Sequence, residues 1–238
     1  MSERHGLFDT ITDALVPVHR DGHKFVGIGL LAALLGFLSW TPLGWVLALV
    51  TAWIVYFFRD PDRVTPLREG LVVAPGDGRV CLIEKVRPPA ELGFIDQTER
   101  VRVSIFLSIF DVHIQRAPVA GRIIRSLYVP GAFVNAAADK ASEDNERRSL
   151  VIETTNGTEI AVVQIAGLIA RRIVTFSHEG DTVGIGQRFG LIRFGSRVDL
   201  YLPVGKTALV AVGQRCVGGE TIMADLKSEE PEREARRS

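Results

Sequence analysis

The chain is expected to fold as a mainly β protein: a distorted β-sandwich or barrel-like domain behind an N-terminal membrane-inserted helical hairpin. Three observations predict this. Residues 25–58 carry no charged side chain, a run too long and too apolar for a soluble core helix. From Gly70 onward, short apolar runs alternate with turns rich in Gly, Pro and Asn-Gly. Neither a βαβ rhythm nor a GxGxxG motif occurs, which argues against a Rossmann domain.

The chain has 238 residues, room for one ordinary domain plus extras. Its formal net charge is zero, so no electrostatic case exists for a nucleic-acid partner. Cys81 and Cys216 lie far apart and show no metal-ligand spacing. Two free thiols in a reduced compartment, and no metal, are the expectation.

Residues 1–24 form an N-terminal segment in which Leu7, Phe8, Ile11, Leu15 and Val16 share one helix face, with Pro17 as the stop. An interfacial helix and an ordinary amphipathic helix packed on the protein both fit. Within 25–58, Thr41-Pro42 breaks the apolar run near its middle, with Gly44 close by. Each half is about 15 residues, or roughly 22 Å as helix, against a hydrocarbon core of about 30 Å. Two short helices in a hairpin, or one kinked spanning helix, satisfy this. Arg20, His23 and Lys24 flank one end and Arg59 and Arg63 the other, which favours a hairpin with both ends cytoplasmic. A signal peptide fits poorly, because no small-x-small cleavage site precedes Arg59.

The β-rich domain is expected over residues 59–226, with strands at 71–74, 79–83, 101–110, 121–128, 149–154, 159–165, 170–175 and 197–202. Pro75-Gly76-Asp77-Gly78 reads as the turn between the first two. Residues 132–144, rich in Ala and charge, are expected to hold a short helix, and 227–238 to be a disordered tail.

A few residues could carry chemistry. Gly195-Ser196 follows a Gly-rich approach (Gly184, Gly186, Gly190) and opens an alternating strand, Val198/Leu200/Leu202. Gly leaves the carbonyl before Ser open to attack, although the pair is equally common in plain turns. Of the five histidines, only His113 and His178 lie in the β-rich part, so they are its candidates for proton transfer, His178 reading as a loop residue. Arg171 and Arg172 point to opposite faces of an extended segment, so one can reach a phosphate or carboxylate. Asp77 in its tight turn ordinarily bonds its own backbone.

Set side by side, these segments resemble the short-form phosphatidylserine decarboxylases. Phe189-Gly190-x-Ile192-x-Phe194-Gly195-Ser196-Arg197-Val198-Asp199 is similar to that family's self-cleavage site. Pro75-Gly76-Asp77-Gly78 resembles its SPADG-type loop, and Ser108 to Pro118 its FxSxxDVHxxRxP pattern. Pro17-Val18-His19-Arg20-Asp21-Gly22, Phe57-Phe58-Arg59-Asp60-Pro61-Asp62-Arg63, Asp144-Asn145-Glu146-Arg147 and Gly167-Leu168-Ile169-Ala170-Arg171-Arg172-Ile173 resemble further family segments, in the family's order. The chain departs at Arg116, where many long-form relatives carry a second His assigned to the charge relay.

The resemblance implies cleavage between Gly195 and Ser196. A β chain of residues 1–195 and an α chain of 196–238 would result, the latter headed by a covalent pyruvoyl group made from Ser196. It implies Asp77 as a relay member orienting a base, and His113 as the group returning a proton after CO2 loss. Arg116, Arg171 and Arg172 are the substrate-binding candidates. The implied substrate is phosphatidylserine in the bilayer of the cell (inner) membrane, with the catalytic domain facing the cytoplasm and a homo-oligomer compatible with it. Two rivals stand beside this: a pyruvoyl decarboxylase of a soluble amino acid, and a membrane-anchored, non-enzymatic biotinyl-like β-barrel adaptor.

Overall fold

The computed structural model describes residues 16–94, 96, 98–131, 145–167, 172–193, 195–233 and 235–236. The chain forms two compact units, Met1–Asp62 and Arg63–Ser238. The helix expected at 7–18 lies largely outside the described residues, and that at 132–144 wholly so.

In the first unit, α1 (Arg20–Ser39) and α2 (Thr41–Phe57) are 20 and 17 residues long, each longer than the half-runs anticipated. The chain turns at Trp40, with Pro42 in the first turn of α2, where its missing N–H costs nothing. By length and composition α1 can cross a membrane, at about 1.5 Å per residue. The base of the pair is tied by main-chain bonds from His19 N–H to Phe58 O and from Asp60 N–H to Pro17 O, both 2.8 Å. Residues before α1 and after α2 therefore meet, as in a hairpin. The helices approach along small residues: a Cβ on Gly29 would lie 2.5 Å from Thr51 Oγ1, and one on Gly36 3.0 Å from Gly44 Cα.

Among its described residues the second unit is mainly β, as expected. Its main sheet contains eight antiparallel strands and curls into a half-barrel. In spatial order these are β12 (Arg215–Cys216), β2 (Gly78–Val86), β3 (Arg100–Leu107), β11 (Ser196–Tyr201), β7 (Glu159–Ala166), β6 (Arg147–Glu153), β5 (Gly121–Val129) and β9 (Thr182–Val183). A three-stranded sheet orders β4 (Ile114–Arg116), β10 (Arg188–Ile192) and β8 (Ile173–Thr175), and β1 (Leu71–Val73) pairs with β13 (Ile222–Asp225). Strands β4, β9, β10, β12 and β13, each of five residues or fewer, are not anticipated from the sequence.

The central strands are covered on both faces. Val103, Ile105, Leu107, Val162, Ala166, Val198 and Leu200 belong to the inner core. On the outer face Val163, Ile165 and Tyr201 pack with Leu92 and Phe94 of the segment that holds a short 3-10 turn, Ala90–Leu92. Two-sided burial explains why β7 reads Glu-Ile-Ala-Val-Val-Gln-Ile-Ala rather than alternating. Within the segment 227–238, where a disordered tail is expected, Ser228, Glu230 and Arg233 are hydrogen-bonded to the domain. Lys206 Nζ donates to Ser228 O at 3.1 Å, Thr207 Oγ1 to Glu230 O at 2.7 Å and Arg233 to Leu209 O at 3.2 Å.

Candidate active site

β10 and β11 are joined by residues 193–195, and the junction carries the least ordinary backbone of the region. Gly195 has φ +70°, the left-handed region in which a side chain is strained. Space does not demand Gly here, since a Cβ would meet only Ile109 Cγ2, at 3.8 Å. Conformation does. Ser196 then opens β11, held between Leu107 of β3 and Ala166 of β7. It is fully buried, and its Oγ has no hydrogen-bond partner among the described residues. A buried hydroxyl left unpaired costs about 1–3 kcal/mol, so its retention calls for a reason.

His113 faces this junction from the loop after β3. Asp111 builds that loop: its carboxylate accepts from Ser108 N–H at 2.8 Å and Ser108 Oγ at 2.7 Å, and pairs with Arg215. The Asp111 carbonyl lies 2.9 Å from His113 Nδ1. A carbonyl can only accept, so Nδ1 carries the proton and Nε2 presents its lone pair. Nε2 accepts from Gly195 N–H at 3.2 Å. A fully buried neutral imidazole thus aims its basic nitrogen at the residue that precedes Ser196.

Two buried amides continue the network. Gln115 Nε2 donates to the His113 carbonyl, and Gln164 Nε2 donates to Gln115 Oε1, both at 2.8 Å. Gly190 makes room, since a Cβ there would sit 2.7 Å from Gln164 Nε2. Sequence reading missed both glutamines and Asp111. A signal for Gln164 existed, as it is the one polar residue in Val162-Val163-Gln164-Ile165-Ala166.

In the described chain the Asp77 carboxylate pairs with Arg63 at 2.7 Å and accepts from Gly218 N–H at 2.8 Å, while the group at His113 Nδ1 is the Asp111 carbonyl. Burial pushes the Asp77 carboxyl up from its ordinary value, against the pull of Arg63. Its turn still borders the site: a Cβ on Gly76 would touch Leu107 at 3.6 Å and Val198 at 3.9 Å. Arg116 is buried, with a guanidinium nitrogen donating to Gly186 O at 3.0 Å and its backbone N–H to Pro75 O at 2.9 Å. Arg172 is exposed beside the junction, its carbonyl accepting from Arg193 N–H at 3.2 Å. Arg171 lies outside the described residues. His178 sits in an exposed turn, its N–H donating to Asp181 Oδ2 at 2.8 Å.

A buried serine after a left-handed glycine, beside a neutral imidazole, can support intramolecular acyl transfer. Comparison with known proteins agrees in kind. A sequence model described as phosphatidylserine decarboxylase matches residues 50–224. A protein of Ruegeria pomeroyi named phosphatidylserine decarboxylase proenzyme is 58% identical over 213 residues, covering 90% of this chain and 97% of its own length. One of the same name from Nitrobacter winogradskyi is 57% identical over 211 residues, covering 89% of this chain and 85% of its own.

Proposed function

The chain belongs to the phosphatidylserine decarboxylase family, and from that premise we propose that Gly195–Ser196 is where its proenzyme divides and that Ser196 becomes the reactive group. The chain is a phosphatidylserine decarboxylase, converting its substrate to phosphatidylethanolamine and CO2 after autocatalytic cleavage. The adaptor and soluble-amino-acid readings are not favoured. One observation carries the assignment of the site: His113 Nε2 lies 3.2 Å from Gly195 N, beside a buried Ser196 Oγ that has no partner among the described residues.

In this reading Ser196 Oγ attacks the Gly195 carbonyl carbon. An O–C bond forms as the C–N bond breaks, and His113 Nε2 relays the hydroxyl proton toward the departing nitrogen. The resulting ester loses its acid by β-elimination, and hydrolysis of the dehydroalanine releases ammonia and leaves a ketone at position 196. The residues fit such a group, because a buried, desolvated position flanked by Leu107 and Ala166 protects it from water. When formed, the pyruvoyl group supplies the electron sink for the electrons released with CO2. His113 then returns a proton from Nε2 to the substrate Cα. The described, uncleaved chain buries His113, Gln115, Gln164 and Ser196 completely, so substrate entry follows scission.

The remaining candidates take different roles. Asp77, held by Arg63 and Gly218, acts as a positioning residue for the turn under Leu107 and Val198. Exposed Arg172, with Arg171, is assigned to the lipid phosphate. Arg116 acts through Gly186 rather than on substrate. Residues 25–58 hold the chain at the cell membrane, with the β-rich unit on the cytoplasmic side, on the strength of the flanking cations.

Intact mass of the purified protein tests the division. Two chains, 1–195 and 196–238, are expected, the smaller without a free amino terminus. His113→Ala is expected to slow scission by about 10²–10⁴-fold, the usual worth of a general base. An uncleaved wild type that still releases CO2 would sink the assignment.

A further inference from the structure

Besides Ser196 Oγ, two further side-chain oxygens are buried without a hydrogen-bond partner among the described residues: Gln164 Oε1 and Thr175 Oγ1. Strand register brings them together. Gln164 stands opposite Val198 on β7, hence diagonal to Ser196 on the same face of the sheet. Thr175 stands opposite Gly190, which also pairs with Gln115, and the Gln164 amide presses on Gly190 from that side.

The orientation of Gln164 is fixed by logic rather than by appearance. The His113 carbonyl only accepts, so Gln115 must turn its Nε2 toward it. Gln115 then shows Oε1 to Gln164, which must answer with Nε2. Gln164 Oε1 is left directed away from the amide chain, buried and without a donor among the described residues. A protein that holds an acceptor so firmly in a dry wall, beside position 196, has a use for a donor that arrives later.

We propose that Gln164 Oε1 receives the amine of the serine head group and holds it beside position 196. This rests on the reading of Ser196 as the maturation site. The head-group ammonium is the substrate's strong N–H donor and must approach position 196 to react. A neutral amide oxygen suits the task better than a carboxylate. It accepts a charged N–H strongly, yet does not hold the amine protonated, and only the free amine is a nucleophile.

The test uses the full chain in detergent micelles, as wild type, Gln164→Met and Gln164→Glu. Phenylhydrazine counts the ketone in each. Short-chain phosphatidylserine is then trapped with cyanoborohydride, and the adduct on the 196–238 chain is read by mass, per ketone, against lipid concentration and pH. Gln164→Met is expected to form ketone and to need about 10- to 100-fold more lipid for half-saturation, the worth of a lost charged hydrogen bond. Gln164→Glu keeps an acceptor, so it should saturate near wild type but with its pH dependence moved upward, because a carboxylate holds the amine protonated. The assignment is overturned if Gln164→Met saturates like wild type, if Gln164→Glu shows an unmoved pH profile, or if Gln164→Met makes no ketone, which would give the oxygen to Ser196 in maturation. A wild type without ketone overturns the maturation reading itself, and the assignment with it.

Discussion

On the inner face of β11, Ser196 ends in a buried hydroxyl with no partner among the described residues. One residue further, on the outer face, Arg197 ends in a guanidinium that is 1% exposed and paired. Its Nε donates to Asp199 Oδ1 at 2.6 Å, and Nη2 donates to Asp199 Oδ2 at 3.2 Å and Ser104 Oγ at 2.7 Å. Arg102 stands 3.9 Å from the same carboxylate and also pairs with Glu84. The outer face therefore buries the Arg197–Asp199 pair completely and joins it through Arg102 to the half-exposed Glu84. One strand, equally buried on both sides, thus carries polar groups in two different conditions. Compensated polar groups lock the strand between β3 and β7. The uncompensated one, the Ser196 hydroxyl, is kept at a cost in stability, which fits the role proposed for it in scission.

This contrast can be broken from either side. Stabilities of the three outer-face and junction variants are compared in the uncleavable Ser196→Ala background, by urea unfolding in micelles followed by circular dichroism. The largest loss is expected for Asp199→Ala, about 3–5 kcal/mol, because it strands Arg197 in the interior. An unchanged urea midpoint would mean that the ion pair does not hold the strand.

Tyr201, on the same outer face, gives the next effect, and it appears only in alkali. Burial first, and Asp199 second, push its hydroxyl up to about 12 from an ordinary value of 10. With a raised folded pKa, the contribution is intact below pH 10. It is lost as pH rises from 10 to 12, where only the unfolded chain ionises. At about 1.4 kcal/mol per pKa unit, the stability of the Ser196→Ala parent should fall by roughly 2–3 kcal/mol more than that of the same chain carrying Tyr201→Phe across this window. Parallel stability curves for the two proteins would remove Tyr201 from the buried network.

Gly195→Ala comes third. Its Cβ meets nothing nearer than 3.8 Å, so the cost is that of φ +70° alone, about 1–2 kcal/mol. Otherwise wild-type chain carrying this change should also cleave more slowly, as seen by mass over time, because the backbone relaxes away from the reactive turn. Cleavage at the wild-type rate would show that the left-handed geometry is not needed. The smallest stability effect belongs to Ser196→Ala. Measured against the slowly cleaving His113→Ala chain while it is still uncleaved, the double variant His113→Ala/Ser196→Ala should have a urea midpoint that matches or slightly exceeds it, within about 1 kcal/mol, since an unpaired hydroxyl is removed. Yet Ser196→Ala should remain a single chain. A strongly destabilised Ser196→Ala would place Ser196 with the structural groups of the opposite face.

Much of this was legible in one dimension. The uncharged run 25–58 with Thr41-Pro42 announces an apolar helical segment broken or kinked near its middle, because the hydrophobic effect and the missing proline N–H act locally. The turn chemistry at Pro75–Gly78 and the apolar periods of β2, β3, β5, β6, β7 and β11 mark the β-rich unit, with ends correct to within a few residues. Ser196 and His113 stood out as residue types in a suggestive context. Local sequence also set the limits of that reading: it gave half-runs of 15 residues where the helices have 20 and 17.

Only the tertiary structure decided which groups meet. His113 reaches Gly195 across 82 positions, and Arg215 reaches Asp111 across 104. Both contacts depend on β11 inserting between β3 and β7, an order no local pattern encodes. In the described chain His113 Nδ1 is met by the main-chain oxygen of Asp111, a group every residue carries and sequence therefore cannot single out. The same holds for Arg197 and Asp199. Alternation along β11 assigns them to the face opposite Val198 and Leu200, but whether that face meets water or a second layer depends on the distant segment around Leu92 and Phe94 that covers it. Periodicity is a property of one strand, whereas burial is a property of everything packed upon it.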